Sequence, residues 1–168
     1  MDRLMIEAKF ATGDDGAIEG KAWDFATPDR VGDMIEPAAF RKAAWPQPML
    51  FGHDANDPVG TWTEAAEGKG GLMVKGRLLV EDVARAREVR ALVKAGAVRG
   101  LSIGFVTKKA IARTGGGRTI TDLELMEISL VTIPMHPGAR VTSAKSAVEA
   151  LRLIAAINRA TAQLARKS

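Results

Sequence analysis

The sequence contains no cysteine, which excludes disulfides, thiolate metal sites and a cysteine nucleophile and fits a reducing compartment. No apolar run reaches the ~18 residues that a membrane-spanning helix requires. The amino-terminal stretch "MDRLMIEAKF" is charged from its second residue and lacks the apolar core of a signal peptide. Phosphate-loop and dinucleotide-binding fingerprints are also missing, because "GKGG" and "TGGGR" have the flanks of hairpin turns.

What remains is the composition of an ordinary globular protein: 168 residues, 46% hydrophobic and 26% charged. The net charge of +4 is concentrated at the carboxyl end, where residues 145–168 carry five basic residues and one acid. Residues 1–144 carry equal numbers of acids and bases, so the body has no general nucleic-acid footprint. We therefore expect one domain over residues 1–144, followed by a basic helix over residues 145–168.

Alternating apolar and polar residues predict about seven short strands. Their segments are 4–10, 17–26, 48–54, 58–67, 72–80, 97–112 and 119–134. Helices are predicted from "EPAAFRKAA", "EDVARAREVRALVKAG" and residues 146–166, and "MHPGAR" is predicted as a loop. This pattern favours an α+β protein built as a mostly antiparallel β-barrel with peripheral helices, and a two-layer α+β sheet is the alternative.

The stretch "GLSIGF" places the hydroxyl of Ser102 between apolar residues, with Gly100 and Gly104 outside them. Glycines weaken a strand, so they indicate either a bulge or room for a substrate backbone to approach the serine. A serine nucleophile needs a general base. His53 lies where an apolar strand meets a polar loop and is the candidate base, whereas His136, in a proline-flanked loop, is predicted at the surface.

Glu127 lies in the middle of the apolar segment "DLELMEISLVTIP". A period of two places Leu125, Glu127 and Ser129 on one strand face. An unpaired charge in such a strand is costly, so Glu127 requires a partner. Either an arginine such as Arg99 forms a salt bridge with it, or Glu127 orients His53.

Two other chemistries remain open at this point. His53, Asp54 and Asp57 in "HDAND" offer nitrogen and oxygen ligands for a divalent cation, although their spacing matches no common metal motif. A serine–lysine dyad of Ser102 with Lys108 or Lys109 is the other, but both lysines are predicted near a turn.

Five stretches in a fixed order resemble the prohead maturation proteases of tailed bacteriophages, a family of serine proteases. They are "EGKAWDFATPDRVGDMIEPAAF", "PMLFGHDANDPVGTW", "GLMVKGRLL", "VRGLSIGFV" and "LELMEISLVTIPMHPGARV", and together they cover about residues 17–141. In the first stretch, Gly32 and Asp33 before "IEPAAF" resemble a Gly-Asp loop of the family. The family is similar in fold to herpesvirus assemblins, so the resemblance implies an assemblin-like barrel.

The resemblance implies that Ser102 is the nucleophile, His53 the general base and Glu127 its acidic partner, without a cofactor or metal. Oxyanion-hole donors are expected from backbone near "PMHPG" or "RTGGGR". The implied function is a serine endopeptidase that cleaves capsid or scaffold protein, and itself, inside the assembling prohead in the host cytoplasm. The implied partner is the major capsid protein with its scaffold or delta segment, without membrane or specific nucleic acid, and a homo-oligomer is compatible. The alternative is an inactive prohead structural or scaffolding component with the same fold.

Overall fold

The computed structural model describes residues 15–68 and 70–143. This part of the chain contains eight strands, one α-helix and one 3₁₀ helix. The strands are β1 Ala17–Asp24, β2 Met34–Ile35, β3 Gln47–Phe51, β4 Asp54–Gly68, β5 Gly71–Leu78, β6 Gly100–Ala112, β7 Arg118–Val131 and β8 Arg140–Ser143. The 3₁₀ helix is Pro37–Phe40 and the α-helix, α1, is Ala84–Lys94.

Seven of these strands close into a barrel in the order β7-β3-β4-β5-β1-β8-β6, and β6 pairs back onto β7. The β3–β7 pair is parallel, whereas every other pair in this ring is antiparallel. The two-residue β2 adds a parallel pairing at the beginning of β7. The predicted mostly antiparallel barrel with about seven strands is therefore confirmed.

Two strands are additional to those that the alternation predicts. β8 begins in the segment that the sequence predicts as a loop, and it closes the barrel by pairing Arg140 with Lys21 and Val141 with Gly20 of β1. β2 has only two residues. Both strands are too short to show an alternating pattern in the sequence. Each owes its extended conformation to a partner strand that is distant in the chain. The strand predicted over residues 4–10 lies outside the described residues.

The helices are shorter than predicted. Of "EPAAFRKAA", only Pro37–Phe40 is helical, as one 3₁₀ turn. α1 buries Ala86, Val89 and Val93, which share one face at helical spacing, and the chain leaves it through Gly96 at φ 74°. The helix predicted over residues 146–166, and with it the carboxyl-terminal segment 145–168, lies outside the described residues.

One continuous apolar cluster fills the barrel. Trp62 lies in it with no exposed surface, and its indole Nε1–H donates to the carbonyl of Ile128 at 2.9 Å. Gly76 makes room for the ring of Trp62, because a Cβ at Gly76 would approach ring atom Cε3 to 2.9 Å. This core fixes β4, β5 and β7 relative to one another, and β7 carries Glu127. None of the described helices is both long and apolar enough to cross a membrane.

Candidate active site

The site is built on the antiparallel pairing of β6 and β7. Ser102 lies directly opposite Ser129, and Gly104 lies directly opposite Glu127. Directly paired residues share a sheet face, with Cβ atoms about 4.5–5.5 Å apart. Residues two apart on one strand also share a face. Ser102, Ser129 and Glu127 are therefore neighbours on one face of the hairpin.

A bulge in β7 interrupts the alternation that the sequence predicts. Leu125 pairs with Phe105, and Glu127 pairs with Gly104. Phe105 and Gly104 are consecutive, so their partners lie on opposite faces, and Met126 is the extra residue. The prediction that Leu125 and Glu127 share a face is therefore wrong. The bulge directs Leu125 into the core and Glu127 towards the face that carries Ser102.

His53 reaches this face from the end of β3. β3 runs parallel to β7, and the backbone N–H of Gly52 donates to the carbonyl of Leu130. The chain then turns through two residues whose backbone is in the left-handed region, Gly52 at φ 65° and His53 at φ 64°. This conformation is uncommon for a residue with a side chain, and such residues cluster at functional sites. The backbone N–H of His53 donates to Ser129 Oγ at 3.0 Å.

Both carboxylate oxygens of Glu127 are held. His53 Nδ1 lies 2.6 Å from Oε1, and the hydroxyl of Ser129 donates to Oε2 at 2.7 Å. Glu127 is 9% exposed, while the side chain of His53 is 44% exposed. The carboxylate selects the imidazole tautomer with its proton on Nδ1, which leaves Nε2 as the basic nitrogen. Of the two partners considered for Glu127, the structure supplies His53 and not Arg99.

Ser129 is a residue of the candidate site that the sequence pattern does not single out. Its hydroxyl accepts from the backbone of His53 and donates to Glu127, so one fully buried group holds both members of the pair. The only local signal is a second polar residue two positions after Glu127 in an otherwise apolar strand.

The two glycines beside Ser102 have different neighbours from those expected. A Cβ at Gly104 would overlap the carboxylate of Glu127, and a Cβ at Gly100 would approach the ring of Pro134 to 2.7 Å. Of the two roles considered for these glycines, room for a substrate backbone is therefore corrected. Gly104 makes room for the carboxylate, and Gly100 makes room for the loop after β7.

His136 is buried, contrary to the prediction of a surface residue. It is 1% exposed, its Nε2 contacts the carbonyl of Thr27 at 2.8 Å, and its Nδ1 accepts from the backbone of Gly138 at 3.0 Å. Its ring meets that of Trp23 edge to face, with centroids 4.6 Å apart. These contacts join the loop after β7 to β1, which a local sequence pattern does not reveal.

The structure supports neither the serine–lysine dyad nor the metal site that the sequence left open. Lys108 and Lys109 are six and seven residues beyond Ser102 on the same strand, or roughly 20 Å along it. Lys108 Nζ also pairs with Glu124 at 2.6 Å. In the proposed metal set, Asp57 is paired with Arg85 at 3.0 Å. Among residues 15–68 and 70–143, no group of three histidine or acidic side chains is placed to hold a metal ion.

Of the two segments considered for an oxyanion hole, only one is near Ser102. "RTGGGR", residues 113–118, lies at the tip of the β6–β7 hairpin, more than ten residues along the chain from Ser102. Residues 134–138 lie beside Ser102, because Pro134 covers Gly100 and His136 lines the same cavity as Ser102.

Asp33 joins the Gly-Asp loop to the beginning of β7. Its carboxylate accepts from the backbone N–H of Arg118 at 2.8 Å and from the Arg118 guanidinium at 2.6 Å. The hydrogen bonds from Arg118 hold the pKa of Asp33 below its usual value, although burial opposes them. This pair fixes the loop that begins at Asp29, which borders the cavity beside Ser102.

Comparisons with known proteins agree with this architecture. A sequence profile of the caudovirus prohead serine proteases matches residues 4–153. The prohead protease of Enterobacteria phage HK97 is 37% identical over 149 residues, which are 83% of this chain and 65% of the relative. The capsid polyprotein of Pseudomonas phage PAJU2 is 36% identical over 149 residues, or 84% of this chain and 22% of that protein. The chain thus spans less than two thirds of either relative.

A solved structure shows the fold independently of close sequence similarity. The KSHV protease, crystallised with a hexapeptide phosphonate inhibitor, superposes with a TM-score of 0.56 at 13% identity. The match covers 74% of this chain and 63% of the other. The fold is therefore assemblin-like, and with the profile match over most of its length the chain belongs to the caudovirus prohead serine protease family.

Proposed function

We propose that this chain is a serine endopeptidase in which Ser102 is the nucleophile, His53 the general base and Glu127 the residue that orients His53. The observation that carries the proposal is the 2.6 Å contact between His53 Nδ1 and Glu127 Oε1 on the face that carries Ser102. Relatives named prohead protease and capsid polyprotein support it.

The chemistry follows from the placement of the groups. The hydroxyl oxygen of Ser102 attacks the peptide carbonyl while His53 Nε2 takes its proton. The C–N bond breaks when His53 returns that proton to the leaving amine, which gives an acyl-serine and a new amino terminus. Water, deprotonated by His53, then releases the carboxyl product and restores Ser102. Glu127 stays ionised and stabilises the imidazolium.

The substrate in this proposal is the capsid protein with its scaffold or delta segment, inside the assembling prohead. The relative named capsid polyprotein contains a segment similar to this chain, and that segment is 22% of the polyprotein's length. A protease-like segment within such a polyprotein favours capsid protein as the substrate and cleavage of the protease from its own precursor. The intact His53–Glu127 pair favours this activity over an inactive structural role.

The test is co-expression of the capsid protein with the wild-type chain or with Ser102→Ala, followed by mass spectrometry of the capsid protein. We expect wild type to shorten the capsid protein and itself, and the variant to lose both activities by several orders of magnitude while retaining its fold. Ser143→Ala, a serine change on β8, is the control. Processing by Ser102→Ala at a rate comparable to wild type would contradict the assignment.

A further inference from the structure

His53 lies at the tip of a tight hairpin between β3 and β4. Phe51, the last residue of β3, pairs directly with Asp54, the first residue of β4, so Gly52 and His53 form the turn. Both turn residues have positive φ, as in a type I′ turn, and such turns favour asparagine, aspartate and glycine. A histidine keeps this conformation only where the surrounding structure enforces it. Contacts outside the turn are therefore needed to hold the imidazole in place.

The strand that follows the turn departs from regular pairing. Leu50 pairs with Pro58, whereas the next residue, Phe51, pairs with Asp54, so residues 55–57 are three extra residues on β4. A bulge of this kind disrupts the ladder of hydrogen bonds beside the turn. The backbone just after His53 is therefore held less firmly by β3 than a regular hairpin would be.

Arg85, near the beginning of α1, contacts the hairpin on both sides of His53. Its Nε–H donates to Asp57 Oδ2 in the bulge at 3.0 Å. The central carbon of its guanidinium lies 4.7 Å from the centre of the Phe51 ring, which is a cation–π contact. Its Nη1 also donates to Glu88 Oε2, one turn further along α1, at 2.8 Å. One guanidinium thus joins the strand before His53 to the bulge after it.

The helix that carries Arg85 is fixed to the barrel. It packs on the core through three residues without exposed surface, Ala86, Val89 and Val93. A reacting group must be held within about 0.5 Å of its productive position by supporting residues that are themselves fixed. α1 therefore gives Arg85 a rigid base from which to hold the hairpin.

We propose that Arg85 is a positioning residue for the reaction, because it clamps the β3–β4 hairpin and so keeps the imidazole of His53 in contact with Glu127. Glu127 and Ser129 hold His53 from β7, and Arg85 holds the chain on either side of it from α1. Arg85 acts through the backbone of the hairpin and not on the reacting atoms. This inference rests on the proposed peptidase function and adds a residue that positions its general base.

Three variants divide the clamp into its parts. Arg85→Gln removes the guanidinium from both strands, and Asp57→Asn breaks only the ion pair. Arg85→Lys keeps a cation for Asp57 but loses the planar group that stacks on Phe51. The side chains of Arg85 and Asp57 are 40% and 23% exposed, so we expect the barrel to fold in each variant. Arg87→Gln is the matched control, because Arg87 lies on the same helix and donates to backbone carbonyls that precede it.

The first measurement is steady-state cleavage of a fluorogenic peptide that spans the bond cut by wild type in the capsid protein. In Arg85→Gln we expect kcat to fall by roughly 10- to 100-fold and KM to stay within about twofold, because a displaced base slows the chemistry and not peptide binding. Asp57→Asn and Arg85→Lys should lose less. Because the two residues share one contact, the double variant should be no slower than Arg85→Gln alone. Arg87→Gln should lower the melting temperature and leave kcat unchanged.

A second measurement does not depend on turnover. In the Ser102→Ala background, proton NMR detects the Nδ1 proton of His53, which resonates far downfield when it is bonded to a carboxylate at 2.6 Å. This resonance should persist with Arg87→Gln and should move upfield or disappear with Arg85→Gln. An unchanged resonance in Arg85→Gln, or a kcat equal to that of Arg87→Gln, would overturn the clamp. Absence of any Ser102-dependent cleavage by wild type would instead overturn the proposed function, and the resonance would still test the clamp.

Discussion

His53 and Glu127 are 74 residues apart in the chain, and their side chains meet at 2.6 Å. The contact exists because β3 lies parallel to β7 and its last residue, Phe51, pairs with Leu130. The chain then turns at Gly52 and His53, so that His53 returns over the face that presents Glu127. An imidazole held in this way has a fixed tautomer and a fixed ring orientation, the two properties that a general base requires.

The carboxylate of Glu127 is the first group to test. Glu127→Gln keeps the shape of the side chain but cannot stabilise an imidazolium, so we expect cleavage to slow by about 10³- to 10⁴-fold, as for the loss of a triad acid. Turnover and melting temperature are measured together. Glu124→Gln, on the same strand but exposed and paired with Lys108, is the control and should retain turnover. Near-normal turnover with a lower melting temperature in Glu127→Gln would show a purely structural ion pair.

Ser129→Ala tests whether the buried hydroxyl positions the pair. Without it, Glu127 Oε2 loses a donor and the backbone N–H of His53 loses its acceptor. We expect kcat to fall by roughly 10- to 100-fold with little change in KM, the cost of losing one or two hydrogen bonds at a charged group. The pH profile of kcat should also shift.

Ile128→Val is the matched control for Ser129→Ala, because Ile128 is the neighbouring fully buried residue of β7 and points into the core. It should lower the melting temperature and leave kcat and its pH profile unchanged. Equal kcat values in the two variants would assign Ser129 a structural role alone.

Gly104→Ala tests the close approach of the two strands. The new methyl group would occupy the position of the Glu127 carboxylate, so the side chain must rotate away from His53. We expect turnover to approach that of Glu127→Gln while the barrel stays folded. Gly68→Ala is the control, since its nearest neighbour would be Met73 Cγ at 3.8 Å. A crystal structure of Gly104→Ala with the His53–Glu127 contact intact would contradict this account.

The Asp33–Arg118 pair predicts a pH dependence of stability. The folded pKa of Asp33 is lowered, chiefly by its hydrogen bonds to Arg118. Its ionised form therefore adds stability above the unfolded value of about 3.9, and this contribution is lost as the pH falls through the lower folded value. Asp33→Asn should lower the melting temperature at neutral pH, and the difference from wild type should shrink towards pH 3. A difference that is constant with pH would contradict the pairing.

Local sequence is sufficient to identify most of the strands and the few residues able to carry chemistry. Alternation over 17–26, 72–80 and 119–134 predicts β1, β5 and β7. Successive side chains of a strand point to opposite faces, so a strand with one face on the core and one on solvent alternates apolar and polar residues. A chain without cysteine and with two histidines leaves few combinations of nucleophile and base. Ser102, His53 and Glu127 accordingly stand out in the sequence alone, and their catalytic roles remain predictions.

The arrangement of these residues depends instead on contacts between distant segments. The bulge at Met126 reverses the face of Glu127, and no local pattern marks it, because a bulge is defined by the register with a partner strand. The burial of His136 and the closure of the barrel by β8 likewise depend on β1, more than a hundred residues earlier in the chain. The meeting of His53 with Glu127 follows from the parallel β3–β7 pairing, which is a property of the topology and not of either segment by itself.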